Sequence, residues 1–563
     1  MRRLAAALAA LLVLLPGALA ASATPVVGPR GMVASPEKLA GDVGLDVLEK
    51  GGNAVDAAVA TAFALAVTFP RAGNLGGGGF LIYRAPGGRC SAIDFRETAP
   101  AALTAAHFKN ARGEIDPKKS QEGGLAVAVP GSVAGLALAH ARYGTRPWAE
   151  LLAPAIELAE TGFPISAVSA KIFGDENARL AADPAARALF THDGAPLQAG
   201  DRLVQKDLGK TLRAIAAGGA KAFYEGDTAE AVVRTVTAAG GVLAAADLAG
   251  YKPVEREPLV GAYRGHRVVT FPPPSSGGVI LLQMLAMLER FDLAASGAGS
   301  SLTLHRLAEV ERRAYADRSG ALGDPAFVDV PVKALLDPAY VAKRAASIRD
   351  DRATPSSAVR PGVAGREGGE TLHLSIADAR GGAVSLTTTI NSWFGAAIVA
   401  KGTGVLLNNE IDDFALGEGV ANQWGLLGGS ANAVRGGKRP LSSMSPTIVE
   451  AVPPGPRPFL VVGSRGGATI ITAVLQTIVH VVDDGFTLQE AIDFPRAHHQ
   501  WQPDVLQVEP HGLSEDVARA LRARGHVLKT REPIANVVAI GLDAQGRYTG
   551  APDPREESVA VGY

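Results

Sequence analysis

The sequence runs to 563 residues, 47% hydrophobic and 20% charged, with a formal charge of -1 at pH 7. That is ordinary globular composition, and the lack of a basic run excludes the electrostatic footprint of a nucleic-acid partner. A chain this long buries a core that needs no structural metal, and its single cysteine, Cys90, rules out an intramolecular disulfide. Length alone suggests roughly three or four domains, a weak prior for sandwiched α/β folds.

Arg2 and Arg3 precede an apolar run over 4–15, then Pro16-Gly17 and the small-residue sequences Ala18-Leu19-Ala20 and Ala21-Ser22-Ala23. This is the pattern of a secretory signal over 1–23, cut after Ala20 or Ala23; ~12 apolar residues are too few for a membrane span. The expected protein is therefore exported, periplasmic or secreted. Gly51-Gly52 close one helix, and Asn53 with Asp56 forms a capping box for the next, over 54–67. That helix is apolar nearly all round, so it belongs in a core. Gly76, Gly77, Gly78 and Gly79 are not a phosphate loop, since no Lys-Ser/Thr follows and dinucleotide spacing is missing. They read as close backbone packing beside a strand over 80–83. Cys90 reads as a small buried side chain, with no activating partner nearby in sequence.

Further helical stretches are expected at 126–133, 152–160 and 302–317, and the turn Pro272-Pro273-Pro274-Ser275-Ser276-Gly277-Gly278 opens a helix over 279–291. The pattern changes near residue 350. Residues 351–369 are rich in Pro, Ser, Gly and charge without apolar periodicity, which predicts an exposed loop or linker. Strict alternation follows: Leu372, Leu374 and Ile376 are apolar, with Thr371, His373 and Ser375 between them. Gly381-Gly382 supplies a turn to a second strand over 383–390, giving a hairpin that directly follows Gly368-Gly369-Glu370. No repeat of fixed period is present.

A threonine hydroxyl is a poor nucleophile unless its proton has somewhere to go. If Thr371 were the first residue of a chain, its own α-amine, with an unperturbed pKa of ~7.7–8.0, would serve as general base. A mobile tether leading to a hydroxyl at the start of a core strand suits such a cut. Threonine at a strand start is nevertheless commonplace. Asp94-Phe95-Arg96-Glu97, Pro272 to Gly278, Tyr315-Ala316-Asp317-Arg318, Leu407-Asn408-Asn409-Glu410-Ile411-Asp412-Asp413-Phe414, Arg439-Pro440-Leu441-Ser442-Ser443-Met444-Ser445-Pro446-Thr447 and Gly463-Ser464-Arg465-Gly466-Gly467 together add context. In that order, with Thr371 between them, they resemble the γ-glutamyltranspeptidase family of N-terminal-nucleophile hydrolases, over nearly everything after the signal.

The resemblance implies an α+β fold, the four-layer αββα sandwich, completed by a large subunit (24–370) and a small subunit (371–563) cut from one precursor between Glu370 and Thr371. It implies Thr371 as nucleophile, Thr389 as its hydrogen-bonding second threonine, and Gly466 and Gly467 as oxyanion donors. Arg96 with Ser442 and Ser443 would hold an α-carboxylate. Glu410 and Asp413, helped by Asn391, would hold an α-ammonium, and Trp424 would gate a lid over 417–432. The implied substrates are glutathione and other γ-glutamyl compounds, with water or an amino acid or dipeptide as acceptor, and with no cofactor or metal. Without the family, Arg96 reads equally as an ion-pair partner of Glu97 or Asp94, Asn409 to Asp413 as a solvated acidic turn, and Gly466-Gly467 as a plain turn. A calcium loop is disfavoured by ligand spacing. His498-His499 reads as structural, lacking a third ligand at a recognised spacing, and His373 either orients the site or is simply packed. Two rivals stand beside this reading: a cephalosporin or glutaryl acylase with the same machinery, and an exported amino-acid-binding protein.

Overall fold

The computed structural model describes residues 24–360, 371–417, 420, 423, 429–452, 455 and 457–563. The expected signal, Glu370 and Trp424 lie outside the described residues. The strands that frame the site are, in chain order, β1 (Val26–Gly28), β2 (Met32–Ser35), β3 (Gly78–Arg84), β4 (Cys90–Asp94), β5 (Val254–Arg256), β6 (Leu259–Tyr263), β7 (His266–Thr270), β8 (Leu372–Ala377), β9 (Ala383–Thr389), β10 (Thr447–Glu450), β11 (Leu460–Arg465), β12 (Asn536–Leu542), β13 (Tyr548–Ala551) and β14 (Val559–Gly562). They form two seven-stranded sheets, ordered β1-β13-β12-β11-β10-β7-β6 and β14-β2-β8-β9-β3-β4-β5. Each sheet takes strands from both sides of residue 370, and β8 and β9 lie near the middle of the second.

Alternation along each strand decides the layering, because successive side chains point to opposite faces. In β8, Leu372, Leu374 and Ile376 pack with Leu81, Ile93 and Leu386 against α1 (Lys38–Glu49) and α2 (Ala54–Thr68). Phe80, Ile82, Val269, Ile448, Val461, Val538 and Ile540 fill the space between the sheets. On the far side Val449, Val462, Val537 and Ala539 pack against α3 (Gly277–Leu288) and α5 (Thr469–Val482), with α4 (Ser301–Ala321) outside α3. The order helix, sheet, sheet, helix is the expected four-layer sandwich.

The helix α2 shows how local sequence sets this up. Asn53 Oδ1 accepts from the amides of Val55 and Asp56, and Asp56 Oδ2 accepts from the amide of Asn53, so the expected box is formed. All of α2 is buried, and each fully buried residue such as Phe63 or Leu65 contributes about 1.5–3 kcal/mol. The glycine run also packs as expected: a Cβ on Gly77 would lie 2.0 Å from the Thr389 carbonyl oxygen, and one on Gly79 2.3 Å from that of Thr387.

Three expectations need correction. Residues 126–133 are not one helix, for a 3-10 turn (Gly124–Ala126) gives way to extended backbone before a helix over Ser132–Tyr143. Pro130 explains this, since proline disfavours the helical region for the residue before it. The stretch expected to be an exposed linker is partly packed. Ser356 is buried, its amide donating to Asp504 Oδ2 at 2.7 Å, while Thr354 Oγ1 donates to Glu309 Oε2 at 2.6 Å. Cys90 is half-buried rather than buried, its thiol pushed up chiefly by partial burial.

Candidate active site

Thr371 directly precedes β8 and is 2% exposed. The β8–β9 register, with Leu372 opposite Thr388 and His373 opposite Thr387, carries on to set Thr371 opposite Thr389. Thr389 Oγ1 accepts from the amide of Asn391 at 2.7 Å. Alternation puts Thr371 on the face shared by His373 and Ser375, between the sheets. Opposite, Ser375 Oγ donates to the Val461 carbonyl at 3.3 Å, and Gly463 packs so closely on His373 that a Cβ would meet its ring at 2.3 Å. The same two-residue step brings Thr371 level with Arg465, next to Gly466.

Gly466 and Gly467 have φ of +129° and +62°, a region that glycine enters freely. They turn β11 into α5, and the amide of Ile470 donates to the Gly467 carbonyl at 3.2 Å. Strand, glycine turn and helix N-terminus together present backbone N–H groups and the positive end of a dipole beside Thr371. His373 bonds Thr387 Oγ1 at 2.8 Å and Ser375 Oγ at 3.1 Å, and burial pushes it down to about 3. It is a neutral packing group tying β8 to β9.

The second half of the site is built around Arg96, whose side chain is fully buried. Its Nη1 donates to Glu410 and its Nη2 to Asp413, Nε reaches the Pro440 carbonyl at 3.2 Å, and Nη2 the Leu441 carbonyl at 3.1 Å. Glu97 stands 3.4 Å from Nη1, whereas Asp94 pairs with Arg256 at 2.7 Å. Glu410 and Asp413 sit on a buried 3-10 turn, so the acidic segment is no solvated turn. Asn408 fixes that turn, accepting from the Glu410 amide at 3.0 Å and donating to the carbonyls of Gly76 and Ala128. Asn391, held at φ +71°, donates to the Asn409 carbonyl at 2.9 Å.

Three carboxylates thus crowd one guanidinium. Glu97 Oε1, Glu410 Oε2 and Asp413 Oδ1 are buried and without hydrogen-bond partners among the described residues. Burial, then the nearby Glu410, pushes Glu97 well above the usual carboxylate range; Asp413 is raised likewise by burial, with Arg96 opposing, and Glu410 is raised by burial. Buried carboxylate oxygens left without donors are expensive, and a cation at this point satisfies them.

Ser442 and Ser443 lie next to the carbonyls that hold Arg96. The Ser276 amide and hydroxyl both donate to the Ser442 carbonyl at 2.7 Å, and Arg318 Nη2 donates to Ser443 Oγ at 2.8 Å. The proline-rich turn and the Tyr-Ala-Asp-Arg stretch are therefore the frame of the serine pair. Sequence reasoning missed Glu97, Asn408, Arg318 and Ser276 as contributors. Each stood inside a quoted motif, but only the fold shows what it touches. His498, on strand Ala497–His498, bonds Thr472 Oγ1 at 2.9 Å, and His499 bonds Arg312 at 3.0 Å.

The family model for γ-glutamyltranspeptidase matches residues 40–563. The chain belongs to the γ-glutamyltranspeptidase family. Within it, a glutathione hydrolase proenzyme of Escherichia coli is 47% identical over 544 residues, covering 96% of this chain and 93% of that protein. A crystal structure of cephalosporin acylase from Bacillus halodurans superposes with a TM-score of 0.86 at 29% identity, covering 98% of this chain and 99% of its own. One of Helicobacter pylori γ-glutamyltranspeptidase matches at 44% identity and a TM-score of 0.58, covering 60% of this chain and 97% of its own. The resemblance read from the motifs is thus a family membership over nearly the whole sequence.

Proposed function

We propose that this chain is an exported γ-glutamyltransferase and glutathione hydrolase that cuts itself between Glu370 and Thr371 and uses Thr371 as nucleophile. The observation that carries the reading is the buried cluster of Arg96, Glu97, Glu410 and Asp413, whose three carboxylate oxygens lack donors among the described residues. A γ-glutamyl group carries a free α-carboxylate and α-ammonium, and the cluster offers a cation for one and anions for the other. Ser442 and Ser443 add hydroxyls to the carboxylate side, and Asn391 an amide near the acidic turn. Trp424 is assigned to a gate over the bound group.

In the precursor, Thr371 Oγ attacks the Glu370 carbonyl carbon and the amide C–N bond breaks, leaving Glu370 esterified to Oγ and freeing the Thr371 amine. Water hydrolyses that ester, releasing the Glu370 carboxylate and restoring the hydroxyl. In turnover, the Thr371 α-amine takes the Oγ proton as Oγ adds to the γ-carbonyl. Gly466 and Gly467 donate to the oxyanion, where one lost donor typically costs ~2.7–4 kcal/mol, and Thr389 bonds the nucleophile. The C–N bond then breaks, and the ammonium returns the proton to the leaving amine. Water or an acceptor amine resolves the γ-glutamyl ester by the same route. No step draws on a cofactor or metal.

The test is intact-mass measurement with a γ-glutamyl-anilide assay. Two fragments meeting at 370/371 and anilide release are expected, whereas Thr371→Ala should give one inactive, uncut chain. A Thr371→Ala protein still cut at that bond refutes the assignment, whereas a wild type that stays uncut and inactive leaves the amino-acid-binding reading. The likeness to a cephalosporin acylase favours the second reading, glutaryl-type acyl groups. Such groups lack the ammonium and would leave the three carboxylate oxygens unsatisfied, so γ-glutamyl-anilide is expected to outrun glutaryl-anilide.

A further inference from the structure

Beside Thr371 lies a second cationic cluster that the steps above do not use. Arg71 is 2% exposed, and its Nε and Nη1 have no hydrogen-bond partner among the described residues. Its carbonyl accepts from the Phe394 amide at 2.9 Å, which brings the guanidinium over Trp393, ring centroid 5.3 Å away, and over Phe69 at 4.2 Å. Arg465 lies over the same Trp393 ring, centroid 5.0 Å away. Both arginines thus lie over one indole ring, and Arg465 directly precedes the glycine turn at Gly466. The β11–β12 register sets Asn536 beside Arg465, and both polar atoms of its buried side-chain amide lack partners among the described residues.

Glu556 bridges the arginines: its carboxylate forms an ion pair with Arg465 and stands 3.4 Å from Arg71 Nη2. It belongs to the connection between β13 and β14 and is 16% exposed at the side chain, against 3% for Arg71. A carboxylate supplied from a loop thus meets Arg71 at Nη2, while Nε and Nη1 stay buried without a hydrogen-bond partner among the described residues. Burial has already pushed Arg71 down to about 10, the sign of a cation short of compensating contacts.

We propose that Arg71 and Arg465, stacked about Trp393, form the subsite for the free carboxylate of the leaving peptide. The inference rests on the γ-glutamyl reading. The α-carboxylate and α-ammonium of the donor are already matched by the Arg96 cluster, and the scissile carbonyl must sit over Thr371. What remains is the amine side of the bond, which in a γ-glutamyl peptide ends in a carboxylate. A guanidinium with two unused N–H groups suits it. Glu556 then acts as an internal competitor that the peptide carboxylate displaces.

The test compares hydrolysis of glutathione with that of its C-terminal amide, by glutamate release, for the processed wild type, Arg71→Gln and Glu556→Gln. Wild type should prefer the carboxylate by about tenfold or more in kcat/KM, equivalent to about 1.4 kcal/mol. In Arg71→Gln the preference should fall to within about twofold, chiefly through the KM for glutathione. In Glu556→Gln, where the competing charge is gone, it should rise, a change no loss of packing produces. Equal use of both substrates by wild type, or equal losses on both in Arg71→Gln, overturns the subsite. If Arg71→Gln does not fold, a Glu556→Gln preference that fails to rise overturns it instead. A γ-glutamyl-anilide control separates the failures: if the anilide is cleaved, only the subsite falls; if it is not, the γ-glutamyl reading falls too.

Discussion

Replacing Asp413 by asparagine removes one negative charge from the Arg96 cluster while keeping an oxygen that accepts from Arg96 Nη2. In the wild type this carboxylate is 2% exposed, and its Oδ1 is without a donor among the described residues. A charge-assisted hydrogen bond to a substrate ammonium contributes about 1.5–3 kcal/mol net, so losing it should lower kcat/KM for γ-glutamyl-anilide by about ten- to 150-fold. Glutaryl-anilide, which has no ammonium, should lose little, because the carboxylate it leaves unpaired is now a neutral amide. The ratio of the two kcat/KM values therefore isolates the charge from any general damage. The folded protein should be no less stable, since burial already favours the neutral form of this carboxyl in the empty protein and the amide keeps it neutral. A variant that loses both substrates equally, or melts well below wild type, would refute the ammonium assignment and make Asp413 a structural partner of Arg96.

The raised carboxyls also set a pH dependence. A bound ammonium favours their ionised forms, so substrate binding should release protons, and KM should rise as pH falls through the elevated range of Glu97, Asp413 and Glu410; calorimetry in two buffers of different ionisation enthalpy checks the sign. For the empty protein these groups hold protons that the unfolded chain does not. The stability they contribute is present below the unfolded carboxyl pKa and lost as pH rises through their folded values. Arg318→Gln leaves Ser443 Oγ without its 2.8 Å donor, which should raise KM about tenfold with a smaller change in kcat; steady-state kinetics separates the two. Gly463→Ala places a methyl 2.3 Å from the His373 ring, and overpacking of this kind lowers stability by about 1–3 kcal/mol, read as a lower unfolding midpoint.

Local sequence carried the elements whose signals are local. The capping box at Asn53 and Asp56, the alternation of β8 and the turn at Gly381-Gly382 each fix geometry within a few residues, and the hairpin and α2 emerged where expected. The four layers and the site residues came instead from motif order, because nothing near Arg96 reveals that Glu410 and Asp413 meet it. Packing across long sequence separation was not legible at all. Ser356 is drawn out of its supposed linker by Asp504, 148 residues on, and Glu97 gains meaning only when Glu410 folds against it. Pro130 was the one local sign that 126–133 could not be a single helix.

Both sheets mix strands from before and after residue 370, and this bears on how the protein can be made rather than on how it works. Before the proposed cut, every strand pairing closes within one chain, so the partners meet at a concentration set by the connecting segment and not by dilution. After it, β8 and β9 can regain their places between β2 and β3 only by a second-order encounter, while each fragment alone exposes apolar strand edges that favour aggregation. The unfolded precursor should therefore refold at any dilution, whereas the cut protein, once unfolded, should recover in a concentration-dependent way and poorly. Self-cleavage would make assembly a one-way event: the intact chain holds the instructions for its own folding, and the active enzyme has discarded them.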